Sequence, residues 1–158
     1  MKPDWVREGY NQMSPYLVCR GGSQAIDFYK QAFGAEEVSR SAEPNGKIMH
    51  ALLRIGASTF CLCDEFPEWG AMSPLAFGGS GSSTFLYIED VDATFKRAVA
   101  AGAKPKSELM DAFWGDRYCA LVDPFGHEWQ VATHKETLTQ EEIMRRARAF
   151  NQSAAGKK

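Results

Sequence analysis

The sequence has no long apolar run and no marked charge of either sign. Its 158 residues carry 18 Lys and Arg against 20 Asp and Glu, a formal net charge of −2. That balance leaves no electrostatic footprint for nucleic acid or an anionic membrane surface, so neither is expected as a partner. No stretch approaches the ~20 apolar residues of a membrane-spanning helix. Residues 1–12 are charged and lack an apolar h-region, so no signal peptide is expected and the expected location is cytoplasmic. Cysteine is scarce, and Cys19, Cys61, Cys63 and Cys119 contain no C-x-x-C pair. All four sit in apolar stretches, which reads as small buried hydrophobes in a reducing compartment rather than a disulfide framework. A catalytic thiol, which would need a cation held against it in the fold, is not expected.

What is present is an ordinary folding mix, 44% hydrophobic and 24% charged, enough for one domain or two half-domains sharing a core. Residues 15–19 read as a short strand. Gly21, Gly22 and Ser23 mark a turn, with Ser23 a candidate N-cap. Ala25, Ile26, Tyr29, Ala32 and Phe33 then recur at helical spacing, and Gly34 is a stop signal. A strand follows at 37–41, and Glu43-Pro44-Asn45-Gly46 is a hairpin turn signal. Residues 48–55 and 59–63 complete the order β-α-β-β-β, with Ile48, His50 and Leu52 on one strand face.

The second half repeats this order. A strand at 83–89 leads to a helix capped by Asp90 or Asp92 and ended by Gly102. Strands follow near 105–109, at 115–122 and at 128–134, the last two joined by the tight turn Asp123-Pro124-Phe125-Gly126. Phe28 to Phe33 resembles Thr94 to Val99, and Gly46 to Leu53 resembles Gly115 to Val122, at a nearly constant offset. Matching order and local likeness mark a duplicated module. The expected division is an N-terminal arm at 1–13, a βαβββ module at 14–64, and an aromatic then Gly/Ser-rich linker at 65–82. A second βαβββ module follows at 83–135, then a C-terminal helix at 136–150 and a disordered tail at 151–158. That last helix has a capping box at Thr139-Gln140-Glu141-Glu142 and a basic back half of Arg145, Arg146 and Arg148, suited to a helix C-terminus. The fold class is α+β, two tandem modules whose strands curl into a mixed sheet with a cleft.

Phe113-Trp114-Gly115-Asp116-Arg117-Tyr118, Asp123-Pro124-Phe125-Gly126-His127, Trp129 and Ala132-Thr133-His134 resemble the glyoxalase, bleomycin-resistance and extradiol-dioxygenase superfamily, also called vicinal oxygen chelate proteins. Residues 15–18 and 48–56 fit the PhnB-like branch of that superfamily. The resemblance spans about residues 14–150. It implies two tandem modules and a homodimer, with cavities often formed between modules of different chains. The scaffold hosts isomerases, lyases, dioxygenases and pure drug-binding proteins alike, so the resemblance carries fold further than function.

Metal-using members hold a divalent ion with His, Gln or Glu from the first and last strands of each module. The matching positions here fall near 14–16, near Phe60, at Ser83 or Thr84, and at Gln130, and only Gln130 is a plausible ligand. No cofactor is therefore expected, and a metal would need an unusual set such as His50, Gln130 and His134. The leading expectation is a protein binding a small-molecule ligand in an apolar cleft; the alternative is a metal-dependent lyase, isomerase or dioxygenase. His50 is the candidate catalytic group, because imidazole suits proton transfer near neutral pH. The candidate ligand-binding residues are His50, Trp114, Arg117, Tyr118, Gln130 and His134. Trp114 with Arg117 suits stacking of a flat or anionic ligand, the competing reading being an Asp116–Arg117 surface pair and a packed Trp114. His127 is expected at a turn or on the surface. Phe66, Trp69 and Phe77 either close a cavity or bury the linker, and Glu65 and Glu68 are expected to be solvated.

Overall fold

The computed structural model describes residues 3–155. In the first module β1 (Tyr16–Cys19) leads into α1 (Gly22–Phe33), then β2 (Glu36–Ala42), β3 (Ile48–Ile55) and β4 (Ser58–Asp64). The second repeats the order with β5 (Ser83–Tyr87), α2 (Val91–Ala100), β6 (Lys104–Asp111), β7 (Asp116–Val122) and β8 (Glu128–His134). Each module forms its own four-stranded mixed sheet, in the orders β1-β4-β3-β2 and β5-β8-β7-β6. The identical topology confirms the duplication. The first and last strands of each module pair in parallel, β1 with β4 and β5 with β8, and the other pairings are antiparallel. No helix among the described residues is long and apolar enough to cross a membrane.

The helices form because Ala25, Ile26, Tyr29, Ala32 and Phe33 recur on one stripe, as do Val91, Thr94 and Ala98. The start of α1 differs from expectation. Its N-cap is Gly21 at φ 98°, with no side-chain cap from Ser23. The Asp64 carboxylate instead accepts from the amides of Gly21 and Gly22, at 3.1 and 2.7 Å, and from Ile48 N–H at 2.7 Å. An anion at a helix N-terminus meets both the free amides and the dipole. That cap comes from the end of β4, so no local signal announces it. Gly22 leaves no room for a side chain, since a Cβ there would lie 2.8 Å from Asp64 and 2.9 Å from Ile48. Ile48 thereby turns into the main core and breaks the expected alternation with His50. Asp90 caps α2 as one of the two expected residues, accepting from Ala93 N–H at 2.9 Å.

The modules meet through an aromatic hub. Tyr29 and Phe33 of α1 pack on Trp129 of β8, at ring-centroid distances of 5.4 and 4.8 Å, with Phe60 and Phe125 around them. At its centre the buried Asp123 carboxylate accepts from Tyr29 O–H (2.7 Å), Trp129 Nε1 (2.9 Å) and the amides of Phe125 and His127. His127 is not a free surface residue: its Nε2 lies 2.9 Å from the Val18 carbonyl and so ties the second module's hairpin to β1.

The linker is more ordered than its Gly/Ser content implies. It makes two 3-10 turns, Pro67–Trp69 and Pro74–Phe77. Phe66 is buried and stacks on Trp69, while Trp69 and Phe77 stay exposed, so the three do not close a cavity together. Glu65 is not merely solvated. It accepts from Arg20 Nε at 3.0 Å and from both the amide and hydroxyl of Ser73. The Arg20 bond first, and then Ser73, pull its pKa from 4.5 down to about 2. A depressed carboxyl pKa supplies stability above the unfolded value and loses it as pH falls through the folded one. Stability should therefore drop between pH ~4.5 and ~2. Glu65→Gln should lower the urea midpoint near neutrality and flatten part of that acid-side loss. A wild-type-like acid profile in the variant would show that the linker clasp contributes nothing.

All four cysteines are buried and free, as their apolar settings imply. The C-terminal helix α3 runs over Gln140–Ala155, past the expected end at 150. Arg145 and Arg146 are consequently mid-helix rather than terminal, and both bond Glu142, as Arg146 also bonds Glu136. The remainder of the expected tail, 156–158, and residues 1–2 of the arm lie outside the described residues.

Candidate functional site

Each sheet has one face under the helices and one turned away from them, here called the outer face. On the second sheet Cys119, Leu121, Trp129 and Val131 take the core side. Strand alternation then sends Tyr118, Gln130 and His134 outward. Ser83, Phe85 and Tyr87 of β5 join them, since Phe85 lies opposite Gln130 in register.

The polar groups of this face are fully linked. Gln130 Nε2 donates to Ser83 Oγ at 2.6 Å, and Tyr118 O–H donates to Gln130 Oε1 at 3.3 Å. Asp116 is buried, and its carboxylate accepts from Tyr87 O–H and Trp114 Nε1, both at 2.8 Å. His134 Nδ1 lies 2.9 Å from the other Asp116 oxygen, and its Nε2 lies 3.0 Å from Thr137 Oγ1. Burial alone would raise the Asp116 pKa, but the bonds from His134, Tyr87 and Trp114 outweigh it and leave it below the usual carboxylate range. An ionised Asp116 makes Nδ1 the protonated nitrogen of a neutral His134 and leaves Nε2 as the basic one. Rings frame these groups: Phe85 stands 5.1 Å from Tyr87 and 6.3 Å from Tyr118, and Trp114 meets Tyr118 edge-on at 5.3 Å. Phe85 and Tyr87 are 45% and 59% exposed, high for rings on a paired strand. They also border a cavity of about 630 Å³ that reaches from β5 to Pro15 and the β3–β4 turn.

Four of the six candidate ligand contacts, Trp114, Tyr118, Gln130 and His134, share this face. Arg117 does not. As the strand neighbour of Asp116 it points the opposite way, and it pairs with Asp92 at 3.0 Å and Asp111 at 3.4 Å. The Asp116–Arg117 pair of the competing reading does not form, for the same reason. His50 lies on the other sheet, with Nε2 2.8 Å from Tyr10 O–H and Nδ1 3.2 Å from Tyr16 O–H. Burial, then the Arg7 charge, lower its pKa below 6.5. A neutral imidazole has one donor and one acceptor nitrogen, and two hydroxyls satisfy both. Phe85 and Tyr87 carry no mark in the sequence reading, which places Ser83 only among the positions matching metal ligands and Asp116 only as a partner of Arg117. Their alternation with core residues along β5 and β7 was the available signal.

Of the positions that match metal ligands in the superfamily, only Gln130 carries one of the usual His, Gln or Glu side chains here. No group of three or more His, Cys, Asp or Glu side chains gathers among the described residues. Gln130 has both ends of its amide engaged within the protein, and the nearby carboxylate of Asp116 already receives three donors.

Two modules of identical topology, packed helix to helix and presenting aromatic and polar outer faces, define a duplicated α+β scaffold with its site on a sheet. Residues 13–131 match the family described as Glyoxalase/Bleomycin resistance protein/Dioxygenase superfamily, and the chain belongs to that family. An uncharacterized protein of Mycobacterium bovis is 42% identical over 134 residues, covering 83% of this chain and 88% of the relative. A solved Arabidopsis thaliana gene product superposes with TM-score 0.62 at 29% identity, over 78% of this chain and 98% of that one. Two further neighbours share the fold: the fosfomycin resistance protein FosX of Listeria monocytogenes (TM-score 0.63, 18% identity, 87% and 97% covered) and a PhnB protein of Bacillus cereus (0.59, 17%, 78% and 99%).

Proposed function

We propose that this protein binds a flat, partly aromatic small molecule on the outer face of its second module, without a metal of the usual superfamily type. The observation that carries the reading is the pair of exposed rings, Phe85 and Tyr87, set beside the satisfied polar row of Ser83, Gln130, Tyr118, Asp116 and His134. Rings supply contact area at small entropic cost, and a few fixed polar groups supply orientation. The same exposed face, with Tyr16 of β1 and Met13 of the arm, supports pairing of two chains. A solution mass of twice the 17.5 kDa chain is the expected outcome by light scattering.

The test is a thermal-shift screen of planar aromatic compounds. Hits should stabilise the protein and lose about tenfold or more in affinity in Phe85→Ala and Tyr118→Ala. Hits indifferent to both variants place the site elsewhere. Elemental analysis after incubation with Mn, Fe, Co, Ni and Zn should find far less than one metal per chain; a stoichiometric metal turns the reading to a metal-dependent lyase, isomerase or dioxygenase. The Asp116–His134 contact favours a second reading, metal-free proton transfer through His134 Nε2. Turnover of any hit compound that survives His134→Gln removes that reading.

A further inference from the structure

The outer face of the first sheet is covered, whereas that of the second is open. Leu52, Cys61 and Cys63 are only 2%, 4% and 5% exposed, yet none belongs to the main core cluster under the helices. Leu52 and Cys61 are cross-strand partners on β3 and β4, and Thr59 and Cys63 flank Cys61 on the same face. The N-terminal arm crosses this face. A Cβ on Gly9 would lie 3.5 Å from Leu52 Cδ2, the Tyr10 ring stacks on His50, and Asn11 N–H donates to Thr59 Oγ1 at 3.2 Å.

The arm's own attachment is slight. Besides the Asn11 bond, its main chain makes two local turn bonds among the described residues, Val6 N–H to the Pro3 carbonyl and Tyr10 N–H to the Arg7 carbonyl, and adds no strand to the sheet. None of its described residues 3–13 is buried, and Trp5 and Met13 are largely exposed. At the pivot, where the arm joins β1, Ser14 Oγ is buried with no hydrogen-bond partner, alone in this among the described side chains. A buried hydroxyl left unpaired costs free energy that movement of the segment can recover. Beneath the arm lies an assortment unlike a core: an imidazole, a threonine and two thiols.

We propose that residues 3–13 form a displaceable strap over the outer face of the first sheet, which exposes His50, Cys61 and Cys63 when it lifts. The strap thereby sets access to His50, whose two nitrogens it and Tyr16 occupy when closed. It also borders the cavity along β5 through Asn11 and Met13, so that lifting it joins the two spaces. Segments held by few buried contacts open locally at a fraction of the global unfolding free energy.

The four cysteines report this without any ligand. Cys61 and Cys63 lie under the strap, whereas Cys19 and Cys119 lie in the core cluster. Iodoacetamide alkylation of the native full-length protein, followed cysteine by cysteine by peptide mass mapping, should give two classes. Cys61 and Cys63 react through local opening, at rates insensitive to low urea, while Cys19 and Cys119 react only as the protein unfolds. Deleting residues 3–12 should speed Cys61 and Cys63 by about tenfold or more and leave the other pair unchanged. Tyr10→Ala, which keeps the whole chain, should move the same two residues in the same direction and covers the case of a deletion that fails to fold. Equal urea dependence for all four thiols, acceleration of all four together, or no acceleration in either variant overturns the proposal. Ligand binding on the second module does not enter the readout.

Discussion

Asp123→Ala is expected to cost about 4 kcal/mol of folding stability, because two buried side-chain donors lose their partner at once. The carboxylate sits in the tight turn of the second module and reaches into the hub, where Tyr29 and Trp129 donate to one oxygen at 2.7 and 2.9 Å. The other oxygen holds the turn itself through the Phe125 and His127 amides, both at 2.9 Å. Truncation leaves the Tyr29 hydroxyl and the Trp129 indole N–H buried and unpaired, and loosens the turn that positions His127 on β1. Urea unfolding followed by tryptophan fluorescence measures the loss. Asp123→Asn keeps the volume but turns an amide N–H₂ toward a donor, so about half the loss is expected. Tyr29→Phe removes one bond and should cost about 1–2 kcal/mol, and less again when Asp123 is already Ala, since the two share one interaction. An Asp123→Ala variant within about 1 kcal/mol of wild type would mean that the aromatic packing alone holds the modules together.

The two modules are legible in the sequence because each element announces itself within a few residues. Periodic apolar positions, Gly34 as a stop and Asp90 as a cap are all local signals. What is not legible is what crosses the fold. The cap of α1 comes from Asp64, 42 residues beyond the Gly22 amide it meets. Asp123 reads locally as a turn residue, and its bond to Tyr29 spans 94 positions. The end of α3 was missed for another reason: Gln152, Ser153, Ala154 and Ala155 carry no apolar stripe, so a continuing helix leaves no periodic trace. Propensity alone favours helix there, through Ala and Gln.

The candidate site divides along the same line. Tyr118, Gln130 and His134 follow from strand periodicity once β7 and β8 are placed. Grouping Arg117 with Tyr118 ignored that period, since neighbours on a strand point to opposite faces. Asp116 and Arg117 look like an ion pair in sequence and serve different networks in space, one holding His134 and the other holding Asp92. His50 is visible in the sequence as an imidazole within a strand, but its partners Tyr10 and Tyr16 come from an arm and a strand far from it in sequence.

Gly115→Ala should lose about 3 kcal/mol and unseat the segment that carries the site into α3. Gly115 adopts φ +99°, and a Cβ there would lie 2.3 Å from the Glu136 carbonyl oxygen, a backbone atom with no freedom to swing aside. Its own carbonyl accepts from the amides of Lys135 and Glu136, both at 3.0 Å. The glycine therefore clasps 135–136, and Glu136 in turn bonds Arg146 of α3. Trp114 and Asp116 flank it, so any shift of the backbone is passed directly to the His134 carboxylate partner. Gly102→Ala is the control: φ is similarly positive, at +110°, but the nearest outside atom is Pro124 Cγ at 3.4 Å. It should show backbone strain alone, about 1 kcal/mol. The difference between the two variants isolates the close approach. In Gly115→Ala the Lys135 and Glu136 amides should exchange faster with solvent deuterium, and trypsin should cut sooner at Lys135. Equal losses in the two variants would show that positive φ, rather than contact with Glu136, is what requires glycine at this position.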